Sequence, residues 1–398
     1  MTSTLGRARG AFSESEIAGL FALRRELHRQ PELSWHEECT AARLEDALRA
    51  MGALDVRRVA GTGVVARIPG RDAKAPVVAL RGDIDALPIG EETGLAYAST
   101  VPGVMHACGH DVHAAWTVAA GLSLLKEPAL GDVLLVLQPA EELGAGAAAV
   151  LESGVLNEVV AIFGGHVDRR FAVGEVVAES GPLAASADSF VLELVGRGAH
   201  GARPHESADP IVAGAAIVTA LQTIVSRRVD PAAPAVVSVG SFHAGVASNV
   251  IPEKATLTGT LRAMDPLTRQ RLLDDVARLS VAVGEAHGVQ VDARVERGTP
   301  PIVNPARESA WAREAAERAL GTGAVVPFGI TNMGGEDFAF YLERIPGCFL
   351  RIGAREEGGA RIAAHSPRFY AADDAILVGG VVLAECARVA GGHLAPRG

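Results

Sequence analysis

Cysteine is scarce. Four residues, Cys39, Cys108, Cys348 and Cys386, are spread over 398 positions, which excludes the dense framework of a disulfide-stapled domain. Aromatic residues are also few, 4% of the chain, so no stacking stripe for a bulky planar ligand can be traced. Basic residues are outnumbered: 37 Lys and Arg face 47 Asp and Glu, for a net charge of −10. Such a balance argues against nucleic acid, whose binding needs clustered cations that release counterions. The opening segment MTSTLGRARGAFSESE lacks an apolar core, and no unbroken run of about 18 apolar residues follows. Neither export nor a membrane partner is therefore expected, and the expected address is cytoplasmic.

What is present is ordinary globular material, 48% hydrophobic and 21% charged, long enough for two or three structural units with a cleft. Ser13 with Glu16 forms a capping box that opens a helix to about His28, and a second helix is expected over 37–48. VVARI (64–68), VVALRGD (77–83), DVLLVLQP (132–139) and VVAIFGGH (159–166) read as strands. They alternate with helices over 111–127 and 145–154. Alternation of this kind predicts an α/β sheet with helices on both faces. From about Gly181 the texture changes to strand, long helix, two strands, long helix and strand, an α+β sandwich inserted over 181–293. Residues 1–180 and 294–398 then form one discontinuous unit, which resumes with a helix near 307–319, a strand near 348–353 and a helix near 373–390.

The chemistry concentrates in MHACGHDVH (105–113), one thiol and three imidazoles within nine positions, all suited to a transition metal. Cys108 and His110 lie two apart, so an extended loop puts them on one face. Next comes LLVLQPAEELG (134–144), where a buried strand runs into Glu141 and Glu142. Ligands gather at the carboxyl ends of strands in open α/β sheets, where one acid can hold metal while its neighbour moves a proton. The pair also suits an ordinary acidic helix start. His166 closes the strand VVAIFGGH, and His365 stands in AAHSP; alone, each reads as a boundary or surface residue.

Eight ordered strings carry a resemblance: LHRQPELSWHE (27–37), RGDIDALPIGEETGL (81–95), PGVMHACGHDVH (102–113), QPAEELGAGA (138–147), GARPHESADPI (201–211), LQTIVSRRVDP (221–231), SNVIP (248–252) and GGEDFAFYLERIPG (334–347). From about residue 20 to 390 the chain resembles the metal-dependent amidohydrolases typified by hippurate hydrolase, indole-acetyl-amino-acid hydrolases and bacterial N-acyl-amino-acid aminoacylases. The resemblance implies a di-metal exopeptidase-like catalytic domain with a mixed sheet, interrupted by a lid domain that makes a homodimer or larger homo-oligomer. It implies that Cys108, His110, Glu142, His166 and His365 bind two divalent ions, with the cysteine between them, and that Glu141 is the general base. Zinc or manganese is the expected metal, and cobalt and nickel are further occupants of such mixed sites. The implied reaction is attack of water on the amide of a small N-acyl amino acid. His200 corresponds to a lid histidine that stabilises the oxyanion, in its own or the partner subunit. Asn249 and Arg262 are placed to hold a substrate carboxylate, although Arg262 also suits a purely structural anchor. Glu336 lines the substrate pocket or starts a helix.

Asp83, Asp85 and Asp111 are candidates to orient ligating histidines or to cap turns, and His106 and His113 are ambiguous within the metal loop. The related di-zinc peptidases place an aspartate where Cys108 stands and an HxD motif where this chain has RGDID. The thiol therefore points to amidohydrolase rather than to the alternative of dipeptidase or aminopeptidase. A non-catalytic binding protein on the same fold is a further alternative, which predicts lost ligands or a lost base.

Overall fold

A computed structural model describes residues 3–395, and the chain divides into two compact units. The first comprises residues up to Gly181, Asn304–Gly329 and the segment from Phe340 onward. Its seven strands lie in the spatial order Leu54–Val59, Gly63–Ile68, Val133–Gln138, Val77–Asp83, Val159–Ala172, Gly347–Arg355 and Val176–Val177. The four from Val133–Gln138 through Gly347–Arg355 run parallel, and antiparallel strands flank them on each side, so the sheet is mixed.

Hydrophobic content explains the order. Val133–Gln138 is buried at every position and Val77–Asp83 at all but its first, which means that both faces of the sheet are covered. By contrast, Leu54–Val59 is mostly exposed; its LDVRRV pattern is polar enough that no strand was expected there, and it forms the hairpin edge. Helix His110–Lys126 packs against Asp374–Leu394 so closely that a Cβ on Gly379 would lie 2.3 Å from the Trp116 ring and one on Gly380 2.5 Å from Ala119. Three helices, not two, precede the first strand, because Ser3 caps a short extra turn at Thr4–Gly10. The expected capping box of Ser13 and Glu16 is formed at Glu14–Arg29.

The second unit comprises Pro182–Val303 and Ile330–Ala339. A four-stranded antiparallel sheet, in the order Ala235–Ala244, Lys254–Ala263, Ala187–Val195, Gln290–Thr299, carries helices Pro210–Arg228 and Pro266–Ala286 on an apolar core that includes Phe190, Leu192, Leu257 and Ile217. The unit extends past residue 293, where the sequence placed its end, because Gln290–Thr299 stays hydrogen-bonded to Ala187–Val195 along its length. Inside it, the buried Arg269 guanidinium donates to Asp188 at 2.7 Å and to the Gly298 carbonyl at 2.8 Å.

Among the described residues, two helices, Pro210–Arg228 and Asp374–Leu394, are long and apolar enough to cross a membrane, although neither is an unbroken apolar run. In this fold 83% of the apolar window of Asp374–Leu394 is buried, so its composition is that of a core helix, against 33% for Pro210–Arg228.

The loop that follows the strand Gly347–Arg355 is held by Arg169, which donates to both oxygens of Glu356 at 2.9 and 3.1 Å and to the carbonyls of Ala360 and Tyr370. Burial works against the Glu356 charge, but the hydrogen bonds from Arg169 and Tyr370 outweigh it and hold the carboxyl at about 2. Its folded value is thus below its unfolded one, so the stabilisation is complete above the ordinary glutamate value of about 4.3 and is lost as pH falls towards 2. Glu356→Gln is expected to be less stable than the parent at pH 7. The gap, read by urea unfolding, should narrow between pH 5 and pH 3; a pH-independent gap contradicts the assignment.

Candidate metal centre

All of the donors but His166 sit at the start of a helix or in a turn or loop beside a regular element. Cys108 precedes Gly109, whose φ of 92° turns the backbone into the helix His110–Lys126. A Cβ at Gly109 would lie 2.4 Å from Val167, so glycine is needed for this close approach. Glu141 and Glu142 follow the buried strand Val133–Gln138 through Ala140, a non-glycine residue at φ 51°. His166 lies inside the long strand Val159–Ala172, which continues six residues past the end expected from sequence. His365 also takes positive φ, 66°, and its backbone N–H donates to the Ala107 carbonyl at 2.8 Å, tying its loop to the cysteine loop.

These turns bring the five donors together within the first unit. Cys108, His110 and His166 form one group whose donor atoms all lie within 4.8 Å of one another, and Cys108, Glu142 and His365 form another. Cys108 is common to both. Its sulfur is 3.2 Å from His166 Nε2, His365 Nε2 is 3.5 Å from Glu142 Oε1, and His110 Nε2 is 3.8 Å from both Glu141 and Glu142.

The fit to cations rests on atoms without partners. His110 Nε2 and Glu142 Oε1 are buried, lie 3.8 Å apart and make no hydrogen bond, a costly arrangement for two polar atoms that a cation beside them would relieve. Tautomers agree as well. His166 Nδ1 donates to the Val167 carbonyl at 2.7 Å and His110 Nδ1 lies 3.2 Å from Asp85, which leaves both Nε2 atoms free as ligands. Burial, then the neighbouring His113 and Arg351, hold His166 neutral, the form that binds metal. Burial and the Glu142 charge push the Cys108 thiol up, so thiolate requires a cation beside it.

The aspartates divide. Asp85 holds His110 with one oxygen and accepts the Glu142 N–H at 3.0 Å and the Ser34 hydroxyl at 2.7 Å with the other. Asp83 takes His113 Nδ1 at 2.5 Å and Arg81 at 2.6 Å, and His113 Nε2 accepts the Val167 N–H at 3.0 Å. Both His113 nitrogens are thereby engaged, so the near grouping of Asp83, His110 and His113 is hydrogen-bonded structure rather than a third ligand set. Asp111 faces away, to buried Arg24 at 2.6 Å and His28 at 2.8 Å. His106 is buried with neither ring nitrogen bonded, and burial lowers it to about 4.

The second unit holds the remaining candidates. His200 and Asn249 are brought side by side: Ala199–His200 pairs with Val250–Ile251, and Gly201 N–H donates to the Asn249 carbonyl at 2.7 Å. His200 Nδ1 accepts the Ala202 N–H at 3.0 Å, which leaves the ring proton on Nε2. Arg262 turns back on its own strand, donating to the Leu261 carbonyl at 2.9 Å and to Thr260, the structural alternative foreseen for it. Glu336 is buried and accepts the Phe338 N–H at 3.0 Å at the start of Ala339–Leu342, as a helix-start residue does.

A shared thiol flanked by imidazoles and carboxylates, with one more glutamate beside them, defines a class: metal-dependent hydrolases. The model of Peptidase family M20/M25/M40 matches residues 79–389, and the chain belongs to that family. It is 40% identical over 373 residues to an N-acetyl-L-cysteine deacetylase of Bacillus subtilis (strain 168), covering 93% of this chain and 87% of the relative. An N-acyl-L-amino acid amidohydrolase of Geobacillus stearothermophilus is 40% identical over 288 residues, 72% of this chain and 78% of that one. Among solved structures, the Bacillus subtilis YXEP protein, a dinuclear metal binding peptidase from the M20 family, superposes with a TM-score of 0.84 at 36% identity, covering 95% of this chain and 99% of that one.

Because Cys108 belongs to both donor groups, Cys108→Ala should lower bound metal at both positions when zinc-loaded protein is dialysed and analysed by atomic emission. The exposed Cys39→Ala should leave the content unchanged. Full metal content in Cys108→Ala contradicts the shared-thiol reading.

Proposed function

We propose that this chain hydrolyses the amide bond of small N-acyl amino acids, with Cys108, His110, Glu142, His166 and His365 holding two divalent ions, zinc or manganese, and Glu141 carrying the proton. The observation that carries the reading is the pair of donor triads sharing Cys108 with the Glu141 carboxylate beside them. When bound, the ions supply Lewis-acid polarisation and acidify water. Glu141 accepts the proton of the attacking water and delivers it to the departing nitrogen, which an amide requires because its amine leaves poorly unprotonated. All of the expected ligands and the base are present, so a purely binding role has nothing to favour it.

The inserted unit is the lid in this reading. His200, with Nδ1 committed to its own loop, offers Nε2–H to the tetrahedral oxyanion, and the adjacent Asn249 binds the substrate carboxylate. The lid also joins two subunits. Four free cysteines suit a reducing, cytoplasmic compartment.

Metal-loaded protein is expected to release amino acid from at least one member of an acyl-by-amino-acid panel, and Glu141→Gln to lose turnover by at least ~10²-fold with both metals retained. Unchanged turnover in that variant removes Glu141 as base. His200→Ala should lower kcat by about 10²–10³-fold with little change in KM. If His200 serves the partner's site, mixed dimers of His200→Ala with Glu141→Gln recover activity that neither variant has alone; no recovery assigns it to its own subunit.

A further inference from the structure

Glu37 has no place in the chemistry above, yet it is fully buried and grips the turn from which the base projects. Its Oε1 accepts the Ala140 N–H at 2.9 Å, and its Oε2 accepts the Thr62 hydroxyl at 2.5 Å. Ala140 is the residue before Glu141, is itself fully buried, and holds φ at 51°, a left-handed conformation that alanine disfavours because its Cβ crowds the following carbonyl. Two residues on, the Glu142 N–H is held by Asp85. The base therefore stands between two backbone amides, each bound by a buried carboxylate. The same turn is tight from below: Gly144 N–H returns to the Glu141 carbonyl at 2.7 Å, and a Cβ on Gly146 would lie 1.6 Å from the Pro139 oxygen. Segment 32–37 is fastened at three points to these strand ends, through Ser34 to Asp85, the Glu32 carbonyl to the Ala86 N–H at 2.8 Å, and Glu37 to Ala140.

We infer that Glu37 is a positioning residue for hydrolysis: its carboxylate holds Ala140 in the left-handed conformation and so aims Glu141 and Glu142 from one turn. This rests on Glu141 being the proton carrier. What matters is the length of the Glu37 arm and an acceptor oxygen at its end, not its charge. Glutamine keeps both, and its amide N–H can donate to Thr62, whose hydroxyl serves either role. Aspartate keeps the charge and shortens the arm by one methylene.

The test compares Glu37→Gln and Glu37→Asp in the metal-loaded full chain, reading kcat, KM, metal content and the visible spectrum of the cobalt-substituted protein. Glu37→Asp should lose kcat about 10- to 100-fold with KM within about threefold, since ångström-scale misplacement of a reacting group costs that much. It should retain metal while the cobalt spectrum shifts, because Glu142 leaves the same turn. Glu37→Gln should keep most of kcat and the parental spectrum. Equal loss in both variants makes the effect one of charge and overturns the inference, as does parental kcat in Glu37→Asp. If Glu37→Asp does not fold, Thr62→Val, which frees the far oxygen, should lower kcat about threefold at unchanged KM, and a parental kcat there overturns it. Active Glu141→Gln would instead remove the base reading, while an inactive Glu141→Gln beside a parental Glu37→Asp removes only the clamp.

Discussion

One buried carboxylate joins the parts of the site. Asp85, two residues past the end of the central parallel strand Val77–Asp83, reaches the His110 imidazole with one oxygen and the Glu142 backbone and Ser34 hydroxyl with the other. Three stretches of chain, 32–37, the cysteine loop and the turn after Val133–Gln138, are held in register by that group. Its charge is costly to bury, and its partners outweigh the cost: hydrogen bonds from His110, Glu142 and Ser34 keep Asp85 below the ordinary aspartate range. Loss of any one partner would leave a buried charge short of donors.

The sheet explains why this is affordable. Parallel strands buried on both faces end together, and their ends are where backbone turns outward and polar groups converge. The adjacent strands Val77–Asp83, Val133–Gln138 and Val159–Ala172 deliver or support Asp83, Asp85, Glu141, Glu142 and His166. His110 comes from the first turn of the helix packed on that sheet, and His365 from a loop pinned to the Ala107 carbonyl. His110 and His166 thus stand on a helix and a strand, while Cys108, Glu142 and His365, the most exposed of the five, come from turns and loops beside such elements.

How much was legible follows from sequence distance. Cys108 and His110, and Glu141 beside Glu142, announce themselves because the donors are neighbours in the chain. His166 and His365 carry no local signal and required the resemblance, since only folding places them beside Cys108. Glu37 was less visible still: its partner lies 103 residues away and is a backbone amide, which every residue offers. Asp85 was a candidate to orient a histidine, but its hold on the Glu142 amide 57 residues away was equally hidden. The left-handed turn at Ala140 cannot be read from an alanine. Strand Leu54–Val59 was missed because an exposed edge need not be hydrophobic, and the helix Asp374–Leu394 shows the converse, membrane-like composition produced by burial in a large core.

The proposed hydrolysis depends on Cys108 being shared between two cations. Anomalous diffraction from zinc-loaded crystals tests it most directly. Two peaks are expected, both bonded to Cys108 Sγ, one completed from His110 and His166 and the other from Glu142 and His365. A single peak, or a second one away from Cys108, would contradict it.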